Sequence, residues 1–227
     1  MEIFGLQELT LLDYPGKVAC TVFLPRCDFR CPFCHNWELH DGSGEAQMDD
    51  AELLRFLERR KGVLEGVAIT GGEPTLQPEL PELIRKIKAL GYPVKLDTNG
   101  NHPEMLEKLL SESLPDYVAM DIKNSPDRYA QTIGYESFDL SRVERSIRLL
   151  LSGSTDYEFR TTVVAQLHDA DSFRGIAPWI QGAKRYYLQA FTDRDTVPFA
   201  GLSAPESTQM QAFAEIVRPY VTEVGLR

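Results

Sequence analysis

The chain has 227 residues, 43% of them hydrophobic, and 24 Lys and Arg against 34 Asp and Glu, for a net charge of −10. That length and composition suit one globular core and exclude a chain disordered over most of its length. The acidic balance argues against general nucleic-acid binding, which works by neutralising phosphates. No apolar run reaches the ~20 residues that cross a bilayer. The first thirteen residues carry acids but no Lys or Arg, unlike a signal peptide. A cytoplasmic protein with neither nucleic-acid nor membrane partners is expected.

In chain order, Lys17 to Leu24 (KVACTVFL) reads as a buried strand, and a Pro-containing loop with the cysteines follows. Gly42 and Gly44 mark a connection, and Asp49 or Asp50 can cap a helix carrying Leu53, Leu54 and Leu57. Gly66 to Thr70 is a strand ending in Gly71-Gly72-Glu73-Pro74. Pro78 to Leu90 is a helix with Leu80, Leu83, Ile84 and Ile87 on one face and Gly91 as its stop. The alternation continues with a strand over Pro93 to Leu96, ending in Asp97-Thr98-Asn99-Gly100, and a helix over Pro103 to Leu110. A strand over Tyr117 to Ile122, with Lys123 at its end, precedes a helix over Leu140 to Leu151. Strands over Glu158 to Val164 and Arg185 to Ala190 are each followed by a helix, over Ser172 to Gln181 and Pro205 to Val217.

Six strand-then-helix units predict an α/β fold with a parallel sheet and helices outside. Six units fall short of a closed eight-unit barrel, so an open partial (β/α)6 TIM-type barrel is expected. It would form a single domain over residues 1–227, with its core at about 16–191 and a C-terminal helix and tail over 192–227. The polar motifs all follow strands at their C-terminal ends, where α/β barrels carry their chemistry.

Four cysteines, Cys20, Cys27, Cys31 and Cys34, lie close together and the rest of the chain has none. Clustering of this kind points to metal or redox chemistry rather than a disulfide framework. Cys27, Cys31 and Cys34 have the spacing C-x3-C-x2-C. Three thiolates on a four-iron cluster leave one iron open, as a catalytic centre needs. Cys20 sits among apolar strand residues, where a free cysteine is usually a small hydrophobe. The spacing alone also allows a structural zinc, with His35 or Cys20 as fourth ligand.

The cysteine loop followed by Gly71-Gly72-Glu73-Pro74 resembles the radical S-adenosylmethionine (SAM) superfamily. The wider pattern is similar to the activating proteins of glycyl-radical enzymes, and most similar to those of anaerobic ribonucleoside-triphosphate reductase. It includes Leu12-Asp13-Tyr14-Pro15-Gly16, Cys34-His35-Asn36, Asp97-Thr98-Asn99-Gly100 and Asp121-Ile122-Lys123, and runs from about Leu9 to about Phe191. The resemblance implies a [4Fe–4S] cluster on Cys27, Cys31 and Cys34 whose open iron chelates SAM. One electron would cleave SAM to methionine and a 5′-deoxyadenosyl radical, which takes hydrogen from a glycine of a partner enzyme. The partner would be anaerobic ribonucleotide reductase, with flavodoxin or ferredoxin as electron donor. Alternatives are an activase of the pyruvate formate-lyase type, a radical SAM enzyme acting on a small molecule, and, from another class, a zinc-binding interaction module.

Gly71 and Gly72 would let backbone approach a ligand closely. Glu73 would accept from the methionyl amine, and Pro74 would fix the turn. The resemblance puts a monovalent cation on Asp97, Thr98 and Asp121, with the Ala119 carbonyl, and adds Asn99 to the cofactor site. It places Lys123 by the cofactor carboxylate, Arg160 near SAM or the partner backbone, and Gln189 near the adenosine. Phe29 and Phe33 would shield the cluster, and Phe33 or Trp37 could meet adenine. His102 and His168 read as ordinary loop histidines.

Overall fold

A computed structural model describes residues 1–227. Its elements are β1 (Glu2–Ile3), β2 (Gly5–Thr10), β3 (Ala19–Leu24), β4 (Met48–Asp49), α1 (Asp50–Arg59), β5 (Gly66–Gly71), α2 (Leu80–Ala89), β6 (Val94–Thr98), α3 (Pro103–Ser111), β7 (Tyr117–Asp121), α4 (Tyr129–Thr132), α5 (Ser141–Ser152), β8 (Asp156–Val163), α6 (Ala170–Trp179), β9 (Arg185–Ala190), α7 (Ser207–Val217) and β10 (Glu223–Leu226). Eight strands form one sheet in the order β2-β3-β5-β6-β7-β8-β9-β10. All neighbours are parallel except β2, which runs antiparallel to β3. No ladder joins β2 to β10, so the barrel is open, as its six expected units predicted.

The two outermost strands were not expected. β2 (GLQELT) has one buried residue, Thr10, and β10 (EVGL) has four half-buried or exposed residues. Edge strands lack the buried apolar run by which an inner strand is recognised in sequence. Among the helices, Asp49 rather than Asp50 caps α1, in a reciprocal capping box with Glu52. In α2 the expected face, Leu80, Leu83, Ile84 and Ile87, is buried.

Because strand side chains alternate, the inner strands have two different faces. Cys20, Val22, Val67, Ile69, Val94, Leu96, Val118 and Met120 join the large apolar core with helix residues such as Leu53, Leu83 and Leu106. The opposite face points into the barrel and is polar or small: Thr21, Ala68, Lys95, Ala119 and Glu158 are all buried. Cys20 therefore lies on the helix side of β3, away from the barrel interior.

Low in the barrel, Glu158 has no exposed surface. It accepts a hydrogen bond from Tyr117 Oη at 2.9 Å and two from the Arg227 guanidinium at 2.8 and 2.9 Å. β10 thus delivers a cation to a buried carboxylate. Removing that cation leaves Glu158 undercompensated, which costs about 2–3 kcal/mol. Arg227→Ala is expected to lower unfolding stability by about that amount in urea titration, and an unchanged midpoint would contradict the pairing.

Candidate active site

The C-terminal ends of the parallel strands open into a cavity of about 260 Å³. Cys27, Cys31, Cys34, Gly71, Gly72, Glu73, Asp97, Thr98, Asn99, Asp121, Lys123, Arg160 and Gln189 all line it. Pro74 does not; it is buried and starts the tight turn Pro74–Leu76. Thr70, Thr162, Asn36 and His35 also line the cavity, as do Phe29 and Phe33. Trp37 does not line it and stacks on His40 at 4.7 Å.

The two glycines serve the backbone of their own chain. Gly71 has φ +120°, and a Cβ there would fall 2.3 Å from the Leu24 carbonyl oxygen; one on Gly72 would fall 2.0 Å from that of Arg26. The close approach lets Gly72 N–H donate to Leu24 O at 2.8 Å and Glu73 N–H to Arg26 O at 2.6 Å. The root of the cysteine loop is thereby laced to the end of β5. Asn36 adds a bond from Nδ2 to the Gly71 carbonyl at 2.8 Å.

Glu73 is 1% exposed. Its carboxylate accepts from Thr75 N–H and Oγ1, from Thr98 Oγ1 at 2.8 Å, and from Asn99 N–H at 2.6 Å. Burial pushes its pKa up, against the pull of those donors. Before any ligand binds, Glu73 already braces the loop after β6.

Asp97 and Asp121 come together as expected, but with every carboxylate oxygen taken. Asp97 Oδ1 accepts from Lys95 Nζ and Oδ2 from Arg160 at 2.9 Å. Asp121 Oδ1 accepts from Arg160 Nε at 2.5 Å and Oδ2 from Lys123 Nζ at 2.8 Å. Burial alone would raise both carboxyl pKa values, but Arg160 first, with Lys95 at Asp97 and Lys123 at Asp121, brings them below the usual range. The guanidinium bridges the two acids where a monovalent cation was expected. Asp97, Thr98 and Asp121 therefore do not fit a cation site. Lys95 has a sequence signal of its own: a lysine inside a buried strand, two residues before Asp97 and so on the same face.

Lys95, Lys123 and Arg160 face Asp97 and Asp121 here, and Glu73 is a third carboxylate on the same cavity. Lys123 Nζ also lies 6.0 Å from the centre of the Phe33 ring. His168 donates or accepts at backbone atoms of Val164 and Lys123, as an ordinary buried histidine does. His102 does more than expected. Its Nε2 lies 2.9 Å from Asp28, which also accepts from Asn99 Nδ2 at 2.9 Å and from Asn101. Burial would raise the Asp28 pKa, but the bonds from His102, Asn101 and Asn99 bring it down to about 2.

The donor set fits an iron–sulfur cluster better than zinc. All four cysteines are free. No three His, Cys, Asp or Glu side chains, the loop cysteines included, converge as one ion requires; zinc needs its sulfur ligands within ~2.3 Å of a single centre. Both proposed fourth ligands are also engaged elsewhere: Cys20 in the core, and His35 Nε2 2.6 Å from the Thr192 carbonyl with its ring stacked on Phe191. A cluster takes one thiolate per iron and so wants its cysteines apart around a cavity. Burial pushes the Cys31 thiol up to about 12 and raises Cys27 and Cys34 as well, so loading a cluster would release protons. The buried Tyr129 hydroxyl lies beside Cys31, Asp121 and the Lys123 backbone.

An open α/β barrel with three free cysteines and convergent strand-end polar groups defines an enzyme of cofactor-dependent type. Residues 21–169 match the family model for the radical SAM superfamily. A Methanocaldococcus jannaschii protein, provisionally named a glycyl-radical enzyme activating enzyme, is 32% identical over 99% of this chain and 95% of its own length. The chain belongs to the radical SAM superfamily and to its glycyl-radical-enzyme-activating group. The pyruvate formate-lyase-activating enzyme of Clostridium pasteurianum is 33% identical, over 55% of this chain and 53% of that protein. Among solved structures, TYW1 with a lysine-pyruvate adduct shares the fold, with TM-score 0.68, 19% identity, and coverage of 90% of this chain and 73% of that one. No helix is long and apolar enough to cross a membrane.

With Arg160 and Lys95 in place of a metal cation, SAM cleavage is expected to be indifferent to exchange of potassium for sodium or tetramethylammonium. A rate that collapses without potassium would contradict the pairing of Asp97 and Asp121.

Proposed function

We propose that this chain activates a glycyl-radical enzyme by reductive cleavage of SAM, with Cys27, Cys31 and Cys34 holding a [4Fe–4S] cluster. The observation that carries the reading is the convergence of those three cysteines with the ends of five different strands on one cavity. The full-length likeness to the M. jannaschii protein supports it independently. When bound and reduced, such a cluster supplies the electron that splits SAM into methionine and the radical that takes hydrogen from the partner's glycine. The protein's part is orientation and the exclusion of competing reactions.

The chain's own groups divide that work. The Lys123 ammonium suits the carboxylate of SAM. Glu73, Thr98 and Asn99 hold one wall rigid. The Gly71–Gly72 backbone offers a flat approach for the methionyl amine, and Gln189 lies on the wall formed by β9, where it can meet the adenosine. Phe29 and Phe33, both nearly buried, keep water from the cysteines.

The partner we propose is anaerobic ribonucleoside-triphosphate reductase, with flavodoxin or ferredoxin as electron source, on the strength of the motif pattern from Leu12 to Lys123. Pyruvate formate-lyase is the second reading, favoured by the partial likeness to its activating enzymes. The deciding experiment mixes reduced, SAM-supplied protein with each enzyme and looks for a glycyl-radical doublet; signal with neither would reject an activase role for these two partners. Separately, Cys27→Ala, Cys31→Ala and Cys34→Ala should each abolish formation of 5′-deoxyadenosine, whereas Cys20→Ala should retain it. Loss on Cys20→Ala with retention in one of the other three would overturn the ligand assignment.

A further inference from the structure

One group of polar side chains at the edge of the cavity meets on Asp28. Asp28 follows Cys27 directly, and its carboxylate gathers Asn99, Asn101 and His102, all from the loop after β6. Its backbone carbonyl accepts from Tyr135 Oη at 2.6 Å, and Arg30 N–H donates to Ile133 O at 2.9 Å, so the same stretch is pinned on its other side. At the centre is the Asn99 amide, on a residue 5% exposed. Its Oδ1 accepts from Asn101 N–H at 2.9 Å, which fixes which end of the amide is nitrogen. One Nδ2 hydrogen goes to Asp28 Oδ1 at 2.9 Å, and Nδ2 also lies 3.9 Å from Cys27 Sγ, within reach of sulfur. The backbone N–H of Phe29 is the other donor to that sulfur, at 3.4 Å.

We propose that Asn99 tunes the cluster by donating an N–H···S hydrogen bond to the Cys27 ligand, and that Asp28 is the positioning residue that aims it. The inference rests on the cluster assignment above. Its physical basis is that hydrogen bonds to ligand sulfur help set a cluster's reduction potential, as partners behind the ligands tune metal sites in general. A donor is worth more to the reduced cluster, which carries one more negative charge. Asn99 therefore raises the potential and makes the first electron easier to accept. Without Asp28 the amide has no acceptor to hold its second hydrogen, and its aim at sulfur is lost.

The alternative is that the four side chains only tie two loops together. The two accounts differ at Asn101, whose side chain bonds Asp28 but does not reach sulfur, and whose backbone N–H survives substitution. The test is an EPR-monitored redox titration of the cluster-loaded full chain, without SAM, in wild type, Asn99→Ala and Asn101→Ala. A more negative midpoint in Asn99→Ala, with Asn101→Ala at the wild-type value, supports the inference. An unchanged midpoint in Asn99→Ala, or equal shifts in both variants, overturns it. If Asn99→Ala does not take up the cluster, electron–nuclear double resonance on reduced wild-type protein decides. A nitrogen coupling that changes on 15N-asparagine labelling supports the bond, and its absence overturns it. A wild-type chain that forms no four-iron cluster would instead overturn the cluster assignment on which the inference stands.

Discussion

The barrel interior depends on the pairing of Arg160 with Asp97 and Asp121. Two carboxylates on neighbouring strands, withdrawn from water, would repel one another and resist ionisation. A guanidinium placed between them by the next strand satisfies one oxygen of each, in the forked geometry that arginine suits. Lys95 and Lys123 take the remaining two oxygens. Strand register makes this workable: Asp121 lies directly opposite Arg160, while Ala119 and Ala68, beside Asp97 and Lys95, are small enough to leave room. Buried ions are costly to assemble, and a network of this kind adds little to stability for its size. What it provides is a rigid polar floor under the cysteine loop.

That loop has no regular structure through its cysteines, yet it is tied to elements all round the barrel mouth. Its root is laced to Gly72 and Glu73, Asn36 reaches the Gly71 carbonyl, Arg30 bonds the loop after α4, and His35 meets the Thr192 carbonyl beyond β9. Gly134, with φ +81°, fits where a Cβ would lie 2.5 Å from the Arg30 carbonyl oxygen. Catalytic groups carried on loops need this kind of support to be held near a productive geometry. The glycines of Gly71-Gly72-Glu73-Pro74 thus have a structural task before any ligand arrives.

The parallel strands were legible because apolar runs such as GVAIT between turn residues have few other readings, and the site motifs because each follows such a run. The apolar neighbours of Cys20 predict a core cysteine, and the alternation of β3 places it in the core. Other features could not be read. β2 and β10 are edges without an apolar signature. Asp28 and Asn99 are distant in sequence and meet only once the loops fold over one another. The same holds for Asp97 and Asp121: sequence order puts them at strand ends, but only cross-strand register shows that Arg160 lies between them.

The central claim is that Cys27, Cys31 and Cys34 carry a four-iron cluster with one iron open to SAM. EPR of the anaerobically reconstituted, reduced chain, recorded with and without SAM, tests it most directly. A four-iron signal that changes on addition of SAM is the predicted result. A four-iron signal indifferent to SAM, or bound zinc with no cluster at all, would contradict it.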